Sequence, residues 1–418
     1  MPVQWGATRS TPQGVIVLSE SSAAVVTATL PAVQANGEAI TGRFYQRMFA
    51  AHPELLNIFN RSNQATGTQK AALAGAVVAY AEHLTGGTSV PWGPILDRIA
   101  HKHVSLGITA TQYTIVGRHL MAAVAEVLGE AVTAEVAAAW DEVYWLLACE
   151  LVAREARLYT EAGVPENGSV WREWRVTDRT AETPDVVSFT LVPADGGAVP
   201  GFTAGQYTSV AVDLGGGRGQ QIRQYSLSGR PGADHWRITV KRVRGTDGAP
   251  DGMVSGFLHE RVAVGDTLRL SPPFGEVSAL GGEEPLLLVS AGIGLTPAMS
   301  ALAHLAATEP ERPVTLVHAD RSGAAHALRH ELPALQERLP NLSVRLWYED
   351  TAGAELAGIK AEIAEGLVDP TLVPLAPGAY VHLCGPVPFM TLVRGGLLRR
   401  GVPSERIAYE VFGPGMLR

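Results

Sequence analysis

Cysteine is scarce: Cys149 and Cys384 are the only two in 418 residues. That excludes a disulfide framework, a paired-cysteine zinc site and an iron–sulfur cluster held by four thiolates, and it fits a reducing cytoplasm best. An excess of positive charge is also missing. The 33 Lys and Arg face 41 Asp and Glu, leaving a formal −8, so no broad electrostatic footprint for nucleic acid or an anionic membrane is expected. Unbroken apolar runs are absent as well. The longest uncharged stretch, Pro285 to Thr308, has the length of a bilayer span, but Gly292, Gly294, Thr296, Pro297, Ser300 and His304 interrupt it. It reads better as a buried strand, a turn and a helix, and no stable membrane anchoring is expected. Residues 1–17 lack the basic start and apolar stretch of a leader and read as a flexible N-terminal extension. Glycine (45) and proline (27) stay below low-complexity levels, and 46% hydrophobic content is ordinary for a folded chain. At about 150 residues per domain, the length predicts about three domains.

What is present changes period twice. From Ser19 to about Gly163, Ala and Leu are abundant and apolar residues recur every three or four positions, which predicts an all-α unit over 18–163. Pro165 to Val176 carries Pro, Asn, Gly and Ser. Beyond it lie short β-rich runs, VVSFTLV, YTSVAVDL, RQYSLS, WRITVKRV and DTLRLS, which predict an antiparallel β-barrel over 168–278. After Gly281-Gly282 strands and helices alternate: PLLLVS, TPAMSALAHLAAT, PVTLVHA, AHALRHELPALQERL, VRLWYE, GIKAEIAEG (read as a helix), AYVHLCG, VPFMTLVRGGLLRRG and IAYEVF. This predicts a doubly wound α/β unit with a parallel sheet over 283–418. No internal repeat is visible.

Two motifs carry chemistry in the C-terminal two thirds. Gly292-Ile293-Gly294-Leu295-Thr296-Pro297 follows a buried strand and opens a helix with proline in its first turn, so backbone N–H groups there can face a pyrophosphate. Arg223-Gln224-Tyr225-Ser226 lies on a strand, and Gly205-Gln206-Tyr207 leads into the strand before it. Arg can neutralise a phosphate, a Tyr face can stack on a flat ring, and a Ser hydroxyl can bond a ring nitrogen. Either motif alone is also an ordinary turn or strand. Their order, followed by Cys384-Gly385-Pro386 after a late strand, resembles the ferredoxin–NADP reductase family. The resemblance implies FAD on the barrel, with Arg223 on its phosphate, Tyr207 and Tyr225 flanking the flavin, Ser226 near its N5, and Met253-Val254-Ser255 opening a helix toward its pyrophosphate. It also implies that Gly292 to Pro297 cradle NAD(P)H and that Cys384 lies close to the nicotinamide.

In the helical third, His52, His83, His101, His103 and His119 are candidate ligands. Within PILDRIAHKHVSLG, Leu96, Ile99 and His103 share the apolar face, while His101 is rotated about 200° toward the polar side. An inward histidine in an all-helical unit suggests an axial haem ligand, and a core histidine bonded to backbone is the alternative.

The stretches TGRFYQRMFAAHPELLNIFN, Gln69, AHKHVSLGI, TATQYTIVGRHL and VAREA resemble the globin domain of the flavohaemoglobins, and the resemblance runs from about residue 18 to the terminal YEVFGP. It implies an all-α globin, an FAD barrel and an NAD(P) domain holding haem b, FAD and NAD(P)H. It implies His103 as the iron ligand, Tyr113 and Glu155 hydrogen-bonded around it, Tyr45 and Gln69 as distal polar groups, and Phe59 and Leu73 as apolar haem contacts. The terminal Val411, Phe412, Gly413 and Pro414 would lie at the flavin, with Phe412 covering it, and Lys102 and Glu410 would face each other at the junction of the two halves. The activity implied is nitric oxide dioxygenation, in which NAD(P)H reduces FAD, FAD reduces haem, and NO and O₂ become nitrate. The alternatives are a reductase passing electrons to other acceptors and a haem-based gas sensor or carrier. Three departures stand out: Val411 replaces the usual cysteine, the loop Gly86-Gly87-Thr88-Ser89-Val90 is long, and the first seventeen residues have no counterpart. Asp320 suits an adenosine ribose hydroxyl and Arg321 a 2′-phosphate, so the choice of NADH or NADPH is open, as is oligomeric state.

Overall fold

The computed structural model describes residues 17–58, 68–87, 91–165, 169–216, 219–245, 250–276, 282–352 and 358–412, the side chains of 68–72 aside. Six helices come first: α1 (Glu20–Ala35), α2 (Gly37–Ala51), α3 (Thr68–Leu84), α4 (Trp92–Ser105), α5 (Ala110–Leu128) and α6 (Ala134–Glu161). Local chemistry starts them. The Ser19 hydroxyl accepts the Ser22 N–H at 3.3 Å, and Thr109 with Gln112 forms a capping box ahead of α5. Phe44, Met48, Leu96, Trp140, Val143 and Leu151 are buried in their shared core, each stabilising it by about 1.5–3 kcal/mol. α5 and α6 approach closely at Gly117, where a Cβ would lie 2.5 Å from the Tyr144 ring. Among the described residues no helix is long and apolar enough to cross a membrane.

The β-rich runs become β2 (Val186–Pro193), β3 (Tyr207–Asp213), β4 (Gln220–Ser226), β5 (Trp236–Lys241) and β6 (Thr267–Leu270), preceded by β1 (Arg172–Thr183). They form an antiparallel sheet in the order β4-β3-β6-β1-β2-β5, and a bridge from Leu227 to Ile238 brings its two edges together. β1 begins inside the punctuated stretch 165–176 and none of the β-rich runs contains it, because Trp174 and Val176 alone are buried along a charged strand. Trp174 stacks on Trp236 at 3.9 Å in the barrel core. The helix α7 (Met253–Arg261) packs against β4 and β5.

The last unit holds β7 (Leu286–Ala291), α8 (Leu295–Thr308), β8 (Val314–Ser322), α9 (Leu332–Arg338), β9 (Leu342–Asp350), β10 (Ala361–Glu365), β11 (Tyr380–Cys384), α10 (Val387–Arg399) and β12 (Ile407–Glu410). Its sheet is wholly parallel, β10-β9-β8-β7-β11-β12, with separate apolar clusters on its two faces, so it is doubly wound. Two expectations fail. GIKAEIAEG is the edge strand β10: Gly358 and Gly366, at φ 88° and 94°, break helix at both ends, and pairing with β9 overrides the helix preference of Ala and Glu. AHALRHELPALQERL is α-helical only from Leu332, after a 3-10 turn at Arg329–Glu331, because Pro333 fits a first turn but would break an interior one.

Candidate functional site

α4 is the centre of the site because its two faces do different work. One face carries Leu96, Ala100 and His103 into the helical unit, while Arg98, His101, Lys102 and Ser105 recur at i, i+3, i+4 and i+7 on the other. His103 Nδ1 lies 2.9 Å from the Tyr113 hydroxyl and 2.8 Å from Glu155 Oε1, and Tyr113 donates to the same carboxylate oxygen at 2.5 Å. Tyr113 is itself held by Tyr144, whose hydroxyl donates to the Tyr113 carbonyl at 2.5 Å. Glu155 is 2% exposed. Burial and then the Glu155 charge push the Tyr113 hydroxyl far up, so it stays protonated as a donor. With Nδ1–H directed at Glu155, Nε2 carries the lone pair, and this donor set fits an axial haem ligand.

The opposite face of α4 meets the barrel. The Gly275 N–H donates to His101 Nδ1 at 3.1 Å, Gln224 Nε2 donates to Ser105 Oγ at 2.6 Å, and Arg98 pairs with Glu276 at 3.4 Å. Below it, Gln221 Nε2 reaches the Leu56 carbonyl at 3.4 Å. Burial, reinforced by the Arg98 charge, holds the Lys102 ammonium down to about 8. The partner of His101 shows what the polar stripe is for: it faces another unit.

The β3–β4 hairpin presents its candidates on two sides. Tyr207 is opposite Ser226 and Ser209 opposite Gln224, so by strand alternation Tyr207, Gln224 and Ser226 share one face, and Arg223 and Tyr225 the other. Ser226 donates to Glu410 Oε1 at 3.2 Å. Burial, offset by Ser226 and Arg98, pushes the Glu410 carboxyl up to about 7. The start of α7 borders an open cleft of about 700 Å³ lined by Arg242 and Arg261 and by Asp213, Asp251 and Glu260, with Glu260 paired to Arg242. Ser255 donates to the Gly252 carbonyl and accepts the Val243 N–H, and Val254 is buried. A helix start beside a cleft fits a flavin nucleotide's pyrophosphate.

The nucleotide motif closes on backbone. Gly292 adopts φ 53°, and a Cβ on Gly294 would lie 2.4 Å from the Cys384 carbonyl oxygen, while one on Gly385 would lie 2.9 Å from the Phe389 ring. Ile293 is part of this turn, Leu295, Thr296 and Pro297 are buried at the start of α8, and Pro386 caps α10. β7 and β11 are neighbours, so both glycine turns leave the sheet's carboxyl edge where the strand order reverses, which suits a dinucleotide. Cys384 is 1% exposed, and burial drives its thiol well above the ordinary value. Asp320 Oδ1 accepts the Arg321 N–H at 2.8 Å, and Arg321 lies 3.5 Å from Asp185.

Tyr45 is buried and stacks on Phe49 at 5.6 Å, Leu73 packs against the helical core, Val411 is half-buried, and Phe412 is 48% exposed. Gln69 sits in the first turn of α3, its side chain outside the described residues, as are Phe59, Gly413, Pro414, residues 88–90 of the long loop and residues 1–16. The structure adds Arg98, Ser105, Gln221 and Glu276 at the junction. The i, i+3, i+4, i+7 spacing of polar residues on α4 was the available signal for the first two. A solvent face reads the same way.

Comparison with known proteins bears on the whole assembly. Residues 42–151 match the globin family and residues 288–395 match the oxidoreductase NAD-binding domain family. A flavohemoprotein of Bordetella parapertussis is 44% identical over 406 residues, covering 96% of this chain and 99% of that one. The flavohemoglobin of Malassezia yamatoensis, solved with bound FAD and heme, superposes with a TM-score of 0.83 at 34% identity, covering 95% of this chain and 100% of that one. The flavohem-like FAD/NAD-binding domain of a nitric oxide dioxygenase from Vibrio cholerae matches with a TM-score of 0.52 and 36% identity over 58% of this chain and 99% of that one.

Proposed function

The chain belongs to the flavohaemoprotein family, and from that premise we propose that this oxidoreductase is an NAD(P)H-dependent nitric oxide dioxygenase. We take its units as a globin over 18–163, an FAD barrel over 168–278 and an NAD(P) domain over 283–418. Haem, FAD and NAD(P)H supply the electrons and the O₂ chemistry by which NO becomes nitrate.

Glu155 holds the proton on His103 Nδ1 and raises the basicity of Nε2 toward the iron; this hydrogen-bonded triad is the observation that carries the reading. Reversible storage of a gas gains nothing from so polarised a ligand, nor from a fused reductase. Tyr113 keeps Glu155 fixed as an acceptor. Tyr45 and Gln69 are assigned to orient bound O₂ as hydrogen-bond donors, with Phe59 and Leu73 excluding water beside the haem. Arg223 and the start of α7 bind the FAD phosphates, while Tyr207, Tyr225, Ser226 and the segment Val411 to Pro414 enclose the flavin. The turn Gly292 to Pro297 binds the dinucleotide, and Cys384-Gly385-Pro386 fixes the nicotinamide end. Lys102 and Glu410 line the junction across which the halves dock. A cytoplasmic setting suits the exposed thiol of Cys149 and the buried thiol of Cys384.

The test is product analysis. Purified protein given NADH, O₂ and NO should form nitrate in step with NO loss, and its haem and flavin bands should both respond to NADH. NADH oxidation that leaves NO unconsumed would instead favour a reductase serving other acceptors.

A further inference from the structure

Arg98 touches both halves of the reductase module at once. Its Nε and Nη2 each lie 3.4 Å from Glu276 Oε2 at the end of the barrel, and its Cζ lies 4.7 Å from the centre of the Tyr409 ring in β12. Its charge also acts on Tyr207 and Glu410, the groups at the flavin side of the junction. Five residues further along α4 is His103, about 7.5 Å up the same rigid helix. We infer that Arg98 is a positioning residue for flavin-to-haem electron transfer, clasping the haem-bearing helix to the barrel through Glu276 and to the nucleotide-binding sheet through Tyr409. The inference rests on the cofactor sites proposed above and does not depend on NO as the substrate.

The geometry argues for alignment rather than for stability. With side chains 35% and 25% exposed, an ion pair such as Arg98–Glu276 contributes little to folding. A guanidinium, however, can lie over an aromatic ring while its edge meets a carboxylate, which a Lys ammonium on a flexible stem cannot reproduce. One side chain thus fixes α4 against two separate elements. With the cofactors bound, NADH would give the flavin two electrons as a hydride, and these would leave one at a time, each reducing one ferric haem to ferrous. After the second transfer the flavin would again be oxidised, with one proton released to solvent and no bond formed between the two groups.

The experiment uses the full-length holoprotein, with haem and flavin content measured first so that failure of the cofactor assignment shows in the wild type. Arg98→Met, Arg98→Lys and Glu276→Gln are mixed anaerobically with NADH, and the flavin and haem bands are followed separately. Arg98→Met should slow haem reduction by about tenfold or more while flavin reduction stays within about twofold, with Arg98→Lys recovering part of the loss. Glu276→Gln should slow haem reduction in the same direction, and its effect should not add to that of Arg98→Met. Amide hydrogen exchange should rise in 95–105 and 270–276 of Arg98→Met. Haem reduction at the wild-type rate, equal slowing of flavin reduction, or a displaced haem spectrum would each overturn the inference.

Discussion

Around His103 the helical unit works through side-chain chemistry: an imidazole, a phenol and a carboxylate within 2.5–2.9 Å of one another, with the carboxylate buried and the imidazole half-buried. Around Gly292, Gly294 and Gly385 the parallel sheet does the reverse, leaving side chains out so that two backbone turns can meet at the carboxyl edge of β7 and β11. The first site is damaged by taking groups away, the second by adding them. The two failures should be separable in one chain, because each site sits in its own core, and the contacts described between the helical unit and the rest run through the α4 face and Leu56 rather than through either site.

The strongest break in that comparison comes from His103→Ala. With His103 as the proposed proximal ligand, its loss should leave haem absent or loosely held, while NADH still reduces the flavin. Stoichiometric haem with an unchanged spectrum would move the ligand elsewhere. His101 is a poor replacement, since its Nδ1 already accepts the Gly275 N–H.

The mirror experiment is Gly294→Ala. The added methyl would sit 2.4 Å from the Cys384 carbonyl oxygen and 2.8 Å from the Gly385 nitrogen, and backbone cannot yield as a flexible side chain can. A shift of about 1 Å in the proposed nicotinamide cradle should slow flavin reduction by about 100-fold with the haem spectrum untouched. Normal hydride transfer would show that the turn relaxes without moving the cradle. Glu155→Gln probes the helical site more gently, since it keeps the shape and removes the charge behind His103. Nitrate formation should fall by about tenfold or more, with a weaker iron–histidine stretch in the resonance Raman spectrum. An unmoved stretch would sink the proposed role of Glu155.

The same contrast explains what the sequence made legible. The glycine turn between β7 and α8 was readable because glycine spacing after a buried strand is a local pattern, and the inward aim of His103 because helical periodicity is local too. Tyr113 and Glu155 lie 10 and 52 residues from His103, and only their resemblance to globin motifs linked them to it. The junction was the least legible part. Arg98 and His101 look like solvent-facing residues until the barrel is placed against them, and Glu276 stands just before the turn into the next unit. β10 misled for a related reason, since its Ala and Glu favour helix in isolation and only the edge of β9 makes them a strand.

The smallest effect should come from Glu410, which belongs to neither site but to the surface between them. Burial pushes its carboxyl up from 4.5 to about 7, so between those values the folded chain binds a proton that the unfolded chain has released. Stability from this group is therefore present below pH 4.5 and lost as pH rises through about 7, the opposite of a salt-bridged carboxylate. Glu410→Gln keeps an oxygen to accept the Ser226 hydroxyl and removes the titration. In urea melts of the holoprotein, the variant should match the wild type near pH 5 and exceed it at pH 8 by about 1–2 kcal/mol. Parallel curves across that range would mean that the carboxylate finds solvent or a cation when it ionises. The junction would then be an open, hydrated seam, unlike the closed cores on either side of it.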